Sequence, residues 1–310
     1  MVVQLQQLAY FLAVAETRHF TRAADQVRVA QPSLSKQIKN LERELGAPLF
    51  SRARGNVALT PAGETLLPLA RRILADVETA RREVQELAGL RRGRVRVGAT
   101  PSLTGLLADV LRDFHDRYPG IELLVEEGGS RDLVGQLAHG GLDLALIILA
   151  PRAHDPALAT TPVLRESLVL ASAATYPPPR SPVRITDLAD HPLVMFREGY
   201  DLRDTTLAAC RRAGVEPRYA VEGGEMDAVL RFVEAGLGVA VVPSIVVAGR
   251  PQFRATPFAP PGLTRTIAVA HRRDVEPPRA ARAFRDRLFT LLSGPEGTNR
   301  LPRGIQTVET

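Results

Sequence analysis

Residues 31–45, QPSLSKQIKNLEREL, carry two chemistries on two sides of one predicted helix. At about 100° per residue, Leu34, Ile38, Leu41 and Leu45 share an apolar face, and Ser33, Lys36, Gln37 and Asn40 share the opposite one. Short hydroxyls, one cation and two amides are the groups that hydrogen-bond to base edges and phosphate oxygens. The face lacks the Glu/Lys pairs common on a merely solvated helix. Taken alone, it fits an ordinary polar surface equally well.

The flanking elements must hold that helix against something. Leu5, Leu8, Phe11, Leu12 and Ala15 recur at helical spacing, and Phe20, Ala23, Ala24 and Val27 form a second, shorter pattern that Thr21 can cap. A tight link at residues 28–30 leads to Pro32, which suits the start of a third helix, and Gly46 is a natural stop. Residues 51–59 read as a short hairpin, with Arg52 and Arg54 beside the turn residues Gly55 and Asn56. Such a basic wing can place arginine in a minor groove or on phosphates. Residues 1–60 hold eight basic and four acidic side chains, so most of the chain's net charge of +6 lies in its first fifth. Both lysines, Lys36 and Lys39, fall in the third helix; the other basic residues are arginine, a bias that a GC-rich genome also produces.

Thr60 and Pro61 open the next helix as cap and first residue, with Glu64 in its first turn. Leu66, Ala70, Ile73, Val77, Ala80, Val84 and Leu87 then alternate at spacings of four and three, a heptad seam flanked by charged residues. A seam that narrow suits a partner helix, the alternative being a helix lying on its own domain.

Beyond the joint GLRRG at 89–93, strands and helices alternate, which predicts an α/β fold with a mainly parallel sheet. Strands are expected at 94–99, 121–126, 143–149, 168–171, 193–196, 218–221, 239–242 and 267–270. Helices are expected at 102–118, 130–139, 201–213, 225–235 and 278–292. Thr100 and Ser102 follow the first strand and open a helix, and Gly129 and Ser130 do the same one unit later. Two helix N-termini facing one cleft favour an anion such as a small carboxylate, although both serines also serve as plain caps. Phe196, Arg197, Tyr200 and Met226 are the candidates from the second series, Arg197 fitting a surface loop as readily.

The chain of 310 residues predicts two or three domains. The single cysteine, Cys210, forbids a disulfide within the chain and reads as an inert thiol rather than a redox sensor. The six histidines show no metal-ligand spacing, and neither a nucleophile elbow nor a phosphate or dinucleotide loop is present, so neither an enzyme nor a cofactor is expected. No apolar run reaches the roughly eighteen residues of a membrane helix, and LAYFLAVA lacks the flanks of an export signal. The cytoplasm, at the nucleoid, is the expected location.

The run FLAVAETRHFTRAADQVRVAQPSLSKQIKNLERELGAPLFSR, followed by VALTPAGETLL, resembles the winged helix-turn-helix of LysR-type transcriptional regulators. The resemblance is nearly gapless from Leu5 to Leu67 and centres on AxxxxVxQPSLSxQIxxLExxLGxxLFxR. It implies that Gln31, Pro32, Ser33, Ser35, Lys36 and Gln37 start a recognition helix and touch double-stranded DNA; Asn40 on the outward face, Arg52 and Arg54 of the wing, and Thr21 and Arg22 are further candidate contacts. The helical face puts Ser35 nearer the buried side. One departure is Gly55, where the family's wing carries arginine; Arg54 lies one position earlier. The family implies pairing through the linker helix into a homodimer or homotetramer, contact with RNA polymerase, and a small-molecule effector. The effector half, where EAGLGVAVVP is a familiar string, resembles two-lobed periplasmic binding proteins of type 2. The expected domains are 1–60, 61–92 and 93–293, with lobes at 93–162 plus 267–293 and at 163–266, and a disordered tail at 294–310.

Overall fold

A computed structural model describes residues 3–53, 56–86, 92–149, 155–293 and 304–308. They divide into two units, residues 1–85 with 138–141, and residues 86–137 with 142–310.

In the first unit, α1 (Leu5–Thr17), α2 (Phe20–Gln26) and α3 (Gln31–Leu45) precede the antiparallel pair β1 (Phe50–Ala53) and β2 (Asn56–Leu59), and α4 (Pro61–Glu86) follows. Most of the apolar stripes foreseen for the three short helices converge: Leu8 and Phe11, with Val14 beside them, meet Phe20, Ala23, Leu34, Ile38 and Leu41 in one buried cluster, whereas Leu5 stays 46% exposed. Phe50 closes it, its ring 5.3 Å from Phe11 and 5.8 Å from Phe20. Each such aliphatic or aromatic side chain contributes about 1.5–3 kcal/mol by leaving water.

Two local expectations are corrected. The cap of α2 is His19, whose Nδ1 accepts the N–H groups of Thr21 (3.2 Å) and Arg22 (3.4 Å). The helix begins at Phe20, so Thr21 already lies inside its first turn. Leu45 is 43% exposed rather than core. The returning chain is tied to the Glu42 carboxylate through the N–H groups of Leu49 (2.8 Å) and Phe50 (3.3 Å), and it leaves Leu45 uncovered. Gly46 ends α3 at φ +74°, the left-handed conformation that the sequence anticipates.

Thr60 Oγ1 caps α4 by accepting from Gly63 N–H at 3.1 Å. A Cβ at residue 63 would stand 2.3 Å from the Leu49 carbonyl oxygen, so only glycine lets α4 approach this closely. Ala62, Leu66, Leu67, Ala70 and Leu74 consequently join the head's core. That moves the boundary expected at residue 60 into α4, and it removes Ala70 (0% exposed) and the half-buried Leu66 from the predicted pairing seam. Leu69, Ile73 and Val84 are large apolar residues exposed there; Ala80 is also exposed, and Val77 is half-buried. Leu87 lies outside the described residues, as do Arg54, Gly55 and the side chain of Arg52.

The second unit begins with β3 (Gly93–Ala99), α5 (Thr104–Arg117), β4 (Ile121–Glu127), α6 (Ser130–Ala138) and β5 (Leu144–Leu149). Strands β4, β3 and β5 are parallel. Strand β5 is apolar at every position because both faces are covered: Leu144, Leu146 and Ile148 enter one cluster, Ala145 and Ile147 the other. There follow β6 (Leu158–Ala173), β7 (Leu193–Met195), α7 (Asp201–Arg212), β8 (Tyr219–Glu222), α8 (Met226–Glu234), β9 (Ala240–Pro243), α9 (Ser244–Val247) and β10 (Phe253–Pro257). The chain returns through β11 (Thr264–Arg272) and α10 (Arg279–Ser293).

Strand β6 joins the lobes. Its residues 158–167 pair antiparallel with β11, which itself pairs with β5, while residues 168–173 pair antiparallel with β9 and β10 in the second lobe. The sheet is therefore mixed rather than mainly parallel. The alternating series supplies β3–β5; β11 runs against them, and β6, antiparallel to β11, runs in their direction. The tail is also corrected in part: β12 (Ile305–Thr307) pairs with Leu164–Glu166 of β6, and Ile305 is 8% exposed.

Candidate DNA-reading helix and sensing cleft

Burying Leu34, Ile38 and Leu41 turns the other side of α3 outward. Pro32, Ser33, Lys36 and Lys39 are exposed there, with Thr21 and Arg22 of α2 exposed as well. Gln31, Ser35, Gln37 and Asn40 are half-buried and already engaged. Gln31 Nε2 donates to Ser35 Oγ (2.9 Å), Gln7 Nε2 to Gln37 Oε1 (3.4 Å) and Arg43 Nη2 to Asn40 Oδ1 (2.8 Å). Ser33 and Lys36 are thus the freest of the predicted set, and Ser35 sits toward the core side as its position implies. Lys39 belongs with them; three residues beyond Lys36, it stands on the same side of the helix.

In the second unit, Thr100, Ser102 and Ser130 are buried at the ends of β3 and the start of α6. They hold protein groups from across the domain. Arg265, from β11, donates through Nη2 to Ser102 Oγ (2.7 Å) and through Nε to Glu166 Oε2 (2.8 Å), its cross-strand partner on β6. Thr100 Oγ1 lies 3.4 Å from Ser102 Oγ. Glu166 is fully buried, and burial raises its carboxyl above the ordinary glutamate value against the opposing pull of Arg265. Ser130 Oγ accepts Ile148 N–H (2.9 Å) and donates to Asp201 Oδ2 (2.8 Å), so the first residue of α7 reaches the N-terminus of α6. One of the two N-termini expected to be open to an anion is already filled by the chain's own carboxylate.

Two ion pairs cross the same seam: Arg197 to Asp132 at 3.5 Å and Arg131 to Asp204 at 3.9 Å. Arg197 also binds Glu225 at 2.8 Å, which raises its guanidinium pKa, and Gly129 packs beside its Nη2. Phe196 and Tyr200 stack at 4.7 Å, and Phe196 and Met226 belong to the second lobe's buried core. The Tyr200 hydroxyl is buried without a hydrogen-bond partner, and desolvation pushes its pKa up to about 12.

A cavity of about 630 Å³ opens between the end of β5, the start of β11 and α7. Ile148, Asp201, Thr205, Arg211, Arg265 and Thr266 are among its walls. None of the eight predicted effector residues lines it. Two of them, Ser130 and Ser102, are bonded to its wall residues Asp201 and Arg265. Sequence reasoning missed Asp201 and Arg265 because the first reads as a helix start and the second lies before the strand expected at 267–270, whereas β11 begins at Thr264. Among the described residues, no helix is long and apolar enough to cross a membrane and no His/Cys/Asp/Glu group could hold a metal ion.

Comparison with known proteins covers both units. Residues 5–64 match the family model of the bacterial regulatory helix-turn-helix protein, lysR family, and residues 88–292 match the LysR substrate binding domain. A hydrogen peroxide-inducible genes activator of Dickeya chrysanthemi is 32% identical over 278 residues, 87% of this chain and 90% of the relative. The transcriptional dual regulator GltC of Bacillus subtilis (strain 168) is 32% identical over 296 residues, 94% and 98% of the two chains. Full-length CbnR, solved in complex with its target DNA, superposes with a TM-score of 0.68 at 25% identity, covering 92% of this chain and 99% of that one. These relatives are regulators of transcription rather than enzymes. With more than half its length inside the substrate-binding model and a LysR helix-turn-helix before it, the chain belongs to the LysR family of DNA-binding transcriptional regulators.

Proposed function

We propose that the chain works as a homodimer or dimer of dimers that sets α3 of each head into the major groove of an interrupted inverted repeat, and that a small anionic effector bound between the lobes changes the placement of the heads. The observation that carries the reading is the exposed side of α3, where Ser33, Lys36 and Lys39 stand free opposite a buried leucine and isoleucine face. Pairing through α4 is supported by Leu69, Ile73 and Val84, which are 51%, 42% and 68% exposed on one long helix. Such a pair would present its recognition helices on a two-fold axis. An effector between the lobes is supported by the cavity, whose volume suits a small molecule. Its anionic character is supported by Arg211 and Arg212 on the cavity wall, with the hydroxyls of Thr205, Thr264 and Thr266 alongside. Moving the heads would alter DNA bending and the approach of RNA polymerase, work done at the nucleoid in the cytoplasm and needing no catalytic step.

The test separates phosphate contact from base reading. Lys36→Ala is expected to weaken binding to promoter and random DNA alike, and to reduce the salt slope by about 0.9, one phosphate contact's worth. Ser33→Ala is expected to change base preference at that slope. A Lys36→Ala protein with the parental salt slope would remove Lys36 from the phosphate backbone, and a protein that never retards its own upstream promoter fragment would end the proposal.

Peroxide induction, which the name of the Dickeya relative states for that protein, does not carry over. Cys210 is the chain's single cysteine, is 1% exposed, and has its thiol pKa raised by burial. A thiol so placed is a poor nucleophile. Ellman's reagent should modify Cys210 in urea and leave it untouched over the same interval in buffer; equal rates in the two solvents would reinstate a thiol sensor.

A further inference from the structure

The N-terminus of α6 is built as an anion site and is occupied from the opposite lobe. Asp201 accepts the Ser130 hydroxyl at 2.8 Å and the Ser130 backbone N–H as well, while Ser130 Oγ is itself held by Ile148 N–H at 2.9 Å. The free amides and dipole of a nine-residue helix favour negative charge at that point. Next to Asp201 in sequence, the buried Tyr200 hydroxyl, 3% exposed as a residue, has no partner of its own. Its charged neighbours are Arg265, Glu225, Asp201 and Arg197. The Tyr200 ring stacks on Phe196 in the second lobe's buried core, and its hydroxyl keeps a hydrogen bond unmade. Asp201 and Arg265 also line the 630 Å³ cavity, so small solutes can reach this cluster.

We propose that Asp201 is a tethered carboxylate ligand of the sensing cleft: it fills the anion position of α6, excludes a free carboxylate from it, and leaves recognition of the effector's charge to the Arg211 and Arg212 side of the cavity. The inference rests on the cleft between the lobes being the effector site. It names Asp201 as the residue that sets which end of an anionic effector can enter. The same bond, with the Arg197–Asp132 and Arg131–Asp204 pairs, holds the lobes together before any effector arrives. An effector that reaches α6 must displace Asp201, at the expense of that closure.

The experiment is chemical rescue of the full-length protein. Asp201→Ala is expected to lower the melting temperature of the sensing half. Sodium acetate should restore a few degrees with half-saturation on the order of 10 mM, relative to sodium chloride at equal ionic strength. Wild type should respond to both salts alike, and the double variant Asp201→Ala/Ser130→Ala should lose the acetate response. Should Asp201→Ala not fold in chloride, recovery of its folded signal on refolding in acetate is the same readout. Equal responses of D201A and wild type to acetate, or rescue that survives loss of the Ser130 hydroxyl, would overturn the proposal. Stability is read here and not DNA retention, so failure of the operator-binding test leaves this result interpretable.

Discussion

Phe11→Ala is expected to abolish retention of DNA although Phe11 faces no DNA. The ring is 0% exposed and packs against Phe50 at 5.3 Å, in the cluster that seats Leu34, Ile38 and Leu41 of α3. Truncating a buried phenylalanine costs about 3–5 kcal/mol through lost burial and the cavity left behind. A domain of this size has a total stability at or below the low end of about 5–15 kcal/mol, so the head would be largely unfolded. Calorimetry should then show the head's transition lowered or lost and the transition of residues 92–293 in place, because the two units have separate hydrophobic clusters. Lys36→Ala supplies the contrast, since an exposed cation can be removed with the head still folded. A Phe11→Ala protein that binds promoter DNA with parental affinity would show that the orientation of α3 does not depend on this core.

The difference in what could be read from the sequence follows from the range of the interactions. The head is written in local code: stripes at helical spacing, Pro32 and Gly46 at the ends of α3, Thr60 capping α4. Its misreadings were also local. A histidine served as a cap where threonine was the expected type, and Leu45 lost its cover to a backbone tie at Glu42. In the sensing half, most of the alternating strands and helices were visible for the same reason. The crossing strand was legible only at 168–171, because LATTPVLRES before it mixes proline, threonine and charge and looks like a loop. Its partners β11 and β12 lie about a hundred residues away or more, and no period announces such pairings. The binding candidates were displaced for a related reason. Helix N-termini after strands could be named, but the groups that fill them, Asp201 and Arg265, arrive from distant segments.

Glu166→Ala is expected to destabilise the sensing half by about 3–5 kcal/mol, more than any exposed ion pair in it could account for. The Glu166 side chain is 0% exposed and that of Arg265 4%, and they bond at 2.8 Å across β6 and β11, where β6 leaves one lobe for the other. Removing the carboxylate leaves a guanidinium that is only 4% exposed without its counter-charge, and that uncompensated charge dominates the loss. Replacing both partners together, as Glu166→Leu with Arg265→Met, removes the charge along with its partner. It should recover most of the stability, since a buried pair gains little net free energy over well-packed apolar side chains. The double variant should nonetheless respond differently to effector. Ser102 loses the 2.7 Å donor that ties the end of β3 to the crossing strands, and the cavity loses one of its cationic walls. Urea unfolding of the two proteins, paired with effector-dependent changes in DNA retention, separates these outcomes. Were the single variant no less stable than the double, Glu166 would not be neutralising Arg265, and the junction between the lobes would be held by apolar packing alone.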